Sequence, residues 1–354
     1  MEWRVAQPSS RNRRSNATLE EVAALAGVSR ATVSRVVNGS PRVSPEVRVE
    51  VQAAIERLGY VPNRAARSLV TRRSDSIAVV ITEPTGRLFT DPFFPRLLRG
   101  ISSELKARVR QLILLMPESA ADEGRVAEYL TAGHVDGALL VSLHEDDPLP
   151  ARLTTAGMPI VLVGRPPKGS RASYVDVDNR QGAQSAVAHL VAGGRRVVAT
   201  ITGPLDMAPG VDRLKGYRDA LTDGGLTLDA TLEALGDFTQ EGSAAAMERL
   251  LAIHPDIDAV FAASDLMAAG AMSVLSASGR HVPDDVAVVG FDDSAIAMST
   301  TPHLTSVRQP IEEMGHEMAR LLVEAVDASD PVLRRVILAT ELVQRASSAG
   351  RLSP

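Results

Sequence analysis

The chain has 354 residues, 45% of them hydrophobic, which is enough for two or three domains with a sizeable core. It has no cysteine, so disulfides and thiolate metal sites are excluded, and no apolar run is long enough to span a bilayer. Residues 1–73 hold thirteen arginines, no lysine and six glutamates, about +7, which leaves −12 for the rest of a chain whose net charge is −5.

A basic head on an acidic body points to a head that meets a polyanion. A solvated arginine-rich face gives the same count. Residues 1–16 contain Arg4, Arg11, Arg13 and Arg14 but no apolar periodicity, and read as a disordered arm. They lack the apolar stretch of a secretory signal, so the expected location is the cytoplasm.

From residue 17 the pattern becomes helical. Thr18 followed by Glu21 is a capping box that starts a first helix, with Val22, Leu25 and Ala26 as its apolar stripe. Gly27 suits a tight turn. Ser29 caps a second helix running towards Asn38, in which Val33, Val36 and Val37 face inward at i, i+3, i+4 spacing. That leaves Arg30, Ala31, Ser34 and Arg35 facing out. Ser44 and Pro45 open a third helix whose stripe is Val47, Val51, Ala54, Ile55 and Leu58, and Gly59 ends it. This is a helix-turn-helix pattern, whose second helix enters the major groove of DNA. Arg30 and Arg35 suit guanine edges, and Thr32 and Ser34 suit phosphates. A small helical bundle that never touches DNA would show the same bare spacing.

Residues 63–69 follow Pro62 with two arginines and a leucine. The segment is too short to be a stable helix alone. It reads either as a linker or as a piece that folds on DNA and drives Leu69 into a base step. Patterning does not separate these.

From residue 76 onward short apolar runs alternate with helical patterns. Strands are expected at 77–81, 112–116, 137–141 and 160–163, with helices near 94–108, 122–132 and 149–156. A second series has strands at 197–202, 259–262 and 286–289. Its helices fall near 179–192, 211–223, 240–253, 265–277 and 311–326. Such alternation implies parallel sheets with both faces covered, and two series imply two lobes with a cleft at the strand ends. None of the nucleotide-binding, nucleophile-elbow or zinc-protease motifs is present, and the histidines have no ligand spacing, so no catalytic, metal or cofactor site is expected.

Residues after the strands are the effector candidates. Phe93 and Phe94 follow the first strand in a chain with 3% aromatics and suit stacking on a sugar ring, although core packing is an equal reading for Phe94. Arg165 follows the fourth strand, Arg213 opens a helix, and Ser264, Asp265 and Asp292 follow later strands. Charged groups of this kind bond neighbouring hydroxyls of a polyol. Singly, each is as readily a cap or surface ion pair; Asp265 and Asp293 in particular suit helix caps.

Residues 18–69, with the run AGVSRATVSRVVNGSPRVSPEVR, resemble the head and hinge helix of the lactose repressor/galactose repressor (LacI/GalR) family, and the resemblance continues to about residue 345. It implies an all-α helix-turn-helix head on an α/β body of periplasmic-binding-protein type I with two Rossmann-like lobes. It places base readers at Arg30, Ala31 and Arg35, the intercalating hinge residue at Leu69, and hinge contacts at Ala65 and Ala66. The DNA-contacting set is then Thr18, Ser29, Arg30, Ala31, Thr32, Ser34, Arg35, Asn38 and Arg42, with Asn63, Arg64, Ala66 and Leu69 in the hinge. Arg213 matches the family's ligand arginine, Asp292 its ligand aspartate, Ser264 the position of an asparagine that touches ligand, and Phe93 lies in its PFF loop. Gly164 replaces an acidic ligand contact of the lactose repressor type, and the loop 83–91 is long.

The resulting expectation is a homodimeric regulator, a repressor of carbohydrate-utilisation genes. It would bind a pseudo-palindromic double-stranded operator under control of a sugar-like effector, with no membrane partner. A solute-binding protein feeding a sugar transporter is the alternative. The expected boundaries are an arm at 1–16, a DNA-binding domain at 17–62 and a hinge at 63–73. The two-lobed body spans 74–346 (first lobe 74–173 and 307–331, second lobe 174–306 and 332–346), followed by a tail at 347–354.

Overall fold

The structure is a computed structural model that describes residues 17–37, 40, 42–61, 73–166 and 171–349. The chain divides into two units, residues 1–74 and 75–354.

In the first unit α1 (Leu19–Leu25), α2 (Arg30–Val37) and α3 (Pro45–Leu58) share a core of Val22, Ala23, Val33, Val36, Val51 and Ala54. The capping box forms as read: the Glu21 amide donates to Thr18 Oγ1 at 3.3 Å, and the Thr18 amide donates to Glu21 Oε2 at 2.7 Å. Gly27 takes φ +64° between α1 and α2, a conformation that a Cβ makes costly. Ser44 accepts from the Val47 amide to open α3. Leu25 and Leu58 are 42% and 37% exposed rather than core. With α1 only seven residues long, Val22 and Ala23 already fill its inward turn. Asn38 and the hinge residues Asn63, Arg64, Ala65, Ala66 and Leu69 lie outside the described residues, as do residues 1–16 and 350–354.

The second unit is an α/β body with two six-stranded sheets among the described residues. The first sheet contains β1 (Ser76–Ile81), β2 (Gln111–Leu115), β3 (Gly137–Val141), β4 (Ile160–Val163), β5 (Ser173–Val177) and β11 (Arg335–Leu338), in the order β11-β5-β4-β3-β1-β2 and all parallel. The second contains β6 (Val198–Thr202), β7 (Glu233–Leu235), β8 (Ala259–Ala262), β9 (Ala287–Asp292), β10 (Thr305–Arg308) and β12 (Glu341–Val343), in the order β12-β10-β9-β8-β6-β7, with only β12 antiparallel. Every residue of β1, β3, β6, β8 and β9 is buried, as expected for strands covered on both faces.

Helices cover these faces. On the first sheet α4 (Thr85–Thr90) leads into α5 (Phe93–Ala107), followed by α6 (Ala120–Tyr129) and α7 (Leu149–Thr155). On the second lie α8 (Asn179–Ala192), α9 (Ala208–Asp223), α10 (Gln240–Ile253), α11 (Asp265–Ala277) and the short α12 (Ala295–Ser299). The last helix, α13 (Ile311–Asp327), returns to the first lobe, where Ile311, Met314, Met318 and Leu322 join the core of Ile77, Val79, Leu97 and Ile101. Its approach to α5 is so close that a Cβ on Gly100 would stand 2.0 Å from the Glu312 carbonyl oxygen.

The chain therefore changes lobes three times, between β5 and α8, between β10 and α13, and between β11 and β12. The changes fall later than the sequence boundaries of 173, 306 and 331, because β5 and β11 pair with each other in the first sheet and β10 pairs with β9 in the second. Two further boundaries shift. The long loop at 83–91 contains α4. The tail does not begin at residue 347: Ser347 Oγ, fully buried, donates to the Val288 carbonyl at 2.6 Å and accepts from the Thr305 amide at 2.8 Å, stitching residues 346–348 to the second lobe.

Candidate effector cleft and DNA-reading face

The head presents one face of α2. Val33 and Val36 are buried, whereas Arg30, Ala31 and Arg35 are exposed, and Arg42 is exposed beyond the helix. Ser29 Oγ accepts from the Thr32 amide at 3.1 Å and lies 2.9 Å from Thr32 Oγ1, so both side chains serve the start of α2. Arg30 Nε reaches Glu20 Oε1 of α1 at 2.9 Å, with both side chains largely in solvent. Thr18 is held in its capping box. The sequence reading of an inward valine stripe and an outward arginine face is what the residues adopt.

In the body, the carboxyl ends of both sheets meet at a cavity of about 730 Å³ including its open mouth. Arg213, from α9, is its centre. It is 5% exposed; its Nε donates to Asn179 Oδ1 at 2.8 Å and its Nη1 to the Ala263 carbonyl at 2.5 Å. Its guanidinium lies 3.7 Å from the Phe291 ring centroid and 3.8 Å from Asp292 Oδ1. Asp292 ends β9 with φ +108°, and Asp293 follows at φ +47°; this left-handed kink turns the Asp292 carboxylate into the cleft, where Gln309 Nε2 donates to it at 2.5 Å. Burial pushes the Asp292 pKa well above the ordinary carboxylate range; Arg213 opposes this, and Asp265 and Asp91 add to it.

The first lobe supplies Phe93 and Phe94, whose rings meet edge to face at 5.5 Å. Phe94, 1% exposed, is a core residue that also closes the cavity wall, so both readings of it apply. Arg165 stands at the rim and pairs across the cleft with Asp212. Ser264 lines the cavity while its Oγ accepts from the Met267 amide at 3.2 Å, capping α11.

Asp265 does not belong to the effector set. It is fully buried behind the cleft, accepts from Ser306 Oγ at 2.5 Å and from the Ser294 amide at 2.6 Å, and is absent from the cavity wall. Its role is to brace the turn after Asp292 and Asp293. Burial raises its pKa to about 6.

The structure adds residues that the sequence did not single out. Asp91 and Asp176 bring two more buried carboxylates; burial raises the pKa of both, that of Asp176 to about 6. Asn179 donates to Asp176 Oδ1 at 2.9 Å and so links it to Arg213. Phe238, at φ +62°, lies between two arginines, 4.9 Å from Arg87 of the first lobe and 6.0 Å from Arg213 of the second. Arg87 is held by Glu83 Oε1 at 2.5 Å, and its buried Nε has no hydrogen-bond partner among the described residues. These residues follow strands with little apolar signal, or sit on α4, which reads as a loop. A phenylalanine two residues after a glycine, in a chain so poor in aromatics, was the available clue to Phe238.

The model for bacterial regulatory proteins of the lacI family matches residues 18–63, and that for a periplasmic binding protein-like domain matches residues 187–348. The HTH-type transcriptional regulator CelR of Thermobifida fusca is 52% identical over 340 residues, covering 95% of this chain and 99% of that one. The chain belongs to the lacI family.

The ribose operon repressor of Escherichia coli (strain K12) is 34% identical over 338 residues, 94% of this chain and 100% of that one. Among solved structures, a CelR–cellobiose complex has a TM-score of 0.76 at 50% identity and covers 94% of this chain and 100% of its own. A Lac repressor dimer bound to operator and the anti-inducer ONPF has a TM-score of 0.82 at 27% identity, covering 94% and 99%. This lacI-family protein is a DNA-binding transcriptional regulator rather than a solute-binding protein, since the match includes the helix-turn-helix head. Among the described residues no helix is long and apolar enough to cross a membrane.

Proposed function

We propose that this regulator is a cytoplasmic homodimer that represses carbohydrate-utilisation genes, and that its effector is a β-linked glucose disaccharide of the cellobiose type, bound between the lobes. The observation that carries the reading is the cavity itself. Buried Asp91, Asp176 and Asp292 surround Arg213, with Phe93 and Phe238 at the walls. Carboxylates and a guanidinium bond vicinal hydroxyls, and aromatic faces stack on the C–H face of a pyranose. The likeness to CelR, 52% identical, and to a solved CelR–cellobiose complex, 50% identical, supports the choice of sugar.

On the DNA side, Arg30, Ala31 and Arg35 read base edges, each bidentate arginine contributing roughly 1–3 kcal/mol of discrimination. Thr18, Ser29, Thr32, Ser34, Asn38 and Arg42 position the head on phosphates, with Asn63, Arg64, Ala66 and Leu69 acting at the operator centre. Arg30 must leave Glu20 to do so, and an exposed pair opens cheaply.

The test is thermal unfolding with cellobiose, glucose and a purine, followed by titration onto a pseudo-palindromic site selected from random DNA. Cellobiose is expected to raise the melting temperature and to change operator affinity. Stabilisation by the purine alone would overturn the sugar reading.

A further inference from the structure

The cleft does not end at the inner cavity. Past Gly164 and Arg165 it continues into a second, outer compartment of about 950 Å³ including its open mouth, which shares Leu143, Arg165, Met207 and Ala208 with the first. Both lobes line it. The first lobe contributes His144 and Glu145, and the second Leu205, Asp206 and Lys215. Its far wall is closed by contacts across the lobes, from the Glu145 amide to the Asp206 carbonyl at 2.8 Å and between His144 Nδ1 and Asp206 Oδ2 at 2.7 Å. The compartments join at the residues they share. Gly164, next to the shared Arg165 on the inner wall, takes φ +78° with no atom within 4 Å of where a Cβ would be, and Arg165 pairs there with Asp212.

We propose that the outer compartment is a subsite for a further sugar unit, so that the protein accepts gluco-oligosaccharides longer than a disaccharide. This rests on the sugar reading of the inner cavity. The charge balance selects the ligand class. On its lining the cations Arg165 and Lys215 are matched by the carboxylates Glu145 and Asp206, with the His144 imidazole beside Asp206, so the compartment offers hydrogen-bonding groups of both signs without a net field. An anion would meet the carboxylates; a neutral polyol meets donors and acceptors alternately. Leu205, 45% exposed, supplies an apolar surface for the C–H face of a ring. The missing side chain at Gly164 leaves the passage through which the chain would run.

Calorimetry with cellobiose, cellotriose and cellotetraose tests this on the wild type, on the double variant Glu145→Ala/Lys215→Ala and on Gly164→Asn. Asparagine is chosen because it tolerates a left-handed backbone. The wild type is expected to bind cellotriose about threefold or more tighter than cellobiose, and the double variant to lose that advantage while keeping its cellobiose affinity. Gly164→Asn should weaken cellotriose by about tenfold more than cellobiose. Cellotriose binding no tighter than cellobiose in the wild type, or a double variant that keeps the advantage or weakens both sugars alike, would overturn the subsite. Binding of cellobiose without cellotriose defeats this inference alone, whereas binding of neither defeats the effector reading with it.

Discussion

The two lobes present their site residues in opposite ways. In the second lobe, Arg213 is fixed by Asn179 and Ala263, Asp292 is aimed by a backbone kink, and Phe238 packs where a Cβ on Gly203 would stand 2.2 Å from its ring. These groups are held by their own lobe and are already in place. The first lobe's arginines reach outward instead. Arg96 donates to the carbonyls of Asp292 at 3.1 Å and Asp293 at 3.4 Å, Arg87 covers Phe238, and Arg165 meets Asp212. One lobe is a preformed receptor and the other a jaw whose contacts exist only when it is closed. The jaw arginines should therefore affect ligand affinity with little effect on stability, and the receptor residues should affect both.

The largest effect is expected from Arg213→Ala. Calorimetry should show effector affinity falling by about 100-fold or more, with about 2–5 kcal/mol of stability lost, because a buried carboxylate is left without its partner. Operator binding by the ligand-free protein should be unchanged. A thermal melt like the wild type's would deny the receptor role.

Arg96→Met comes next. Effector affinity should fall by about tenfold through the loss of two bonds to carbonyls, while the ligand-free melting temperature stays put. If that temperature dropped as far as in Arg213→Ala, the division between jaw and receptor would be wrong.

Asp176→Asn sharpens the comparison through pH. The folded protein holds the Asp176 pKa at about 6, above its ordinary value of 3.8. A raised carboxylate favours the protonated form on folding, so its cost is absent below about pH 4, grows as pH rises and is complete above about pH 6. Asp176→Asn should then be more stable than wild type at pH 7.5, by up to about 3 kcal/mol, with the gain vanishing at pH 4. Chemical denaturation at the two pH values checks this, and a gain independent of pH would count against it.

The smallest effect belongs to Arg165→Ala. The arginine side chain is 46% exposed, so effector affinity should change about two- to fivefold.

Much of this was legible in the sequence, and the rest was hidden for a common reason. The helices at 179–192, 240–253 and 265–277 and the strands at 137–141, 160–163 and 259–262 occupy the residues that their spacing marks. The missed strands β5, β7, β10, β11 and β12 lie at sheet edges or at changes of lobe, where Ser173, Asp176, Ser306 and Arg308 interrupt the apolar run. Asp176, Asn179 and Gln309 sit on or directly after such strands, so their place in the cleft could not be read. Arg213 lies within a clear helix and Asp292 ends a clear strand, so theirs could. Asp265 misled because the start of a helix is also where a cleft residue belongs, and only its hydrogen bonds to Ser306 and Ser294 show which way it faces.

The three changes of lobe mean that neither lobe is encoded by one continuous stretch of gene. A frameshift at residue 310 would remove α13 and β11 from the first lobe and β12 with its serine stitch from the second, leaving neither able to fold. A single protease cut would likewise release no lobe-sized fragment. Deletion mapping along this chain is therefore expected to give only null alleles across the body, even though the effector touches a small part of it.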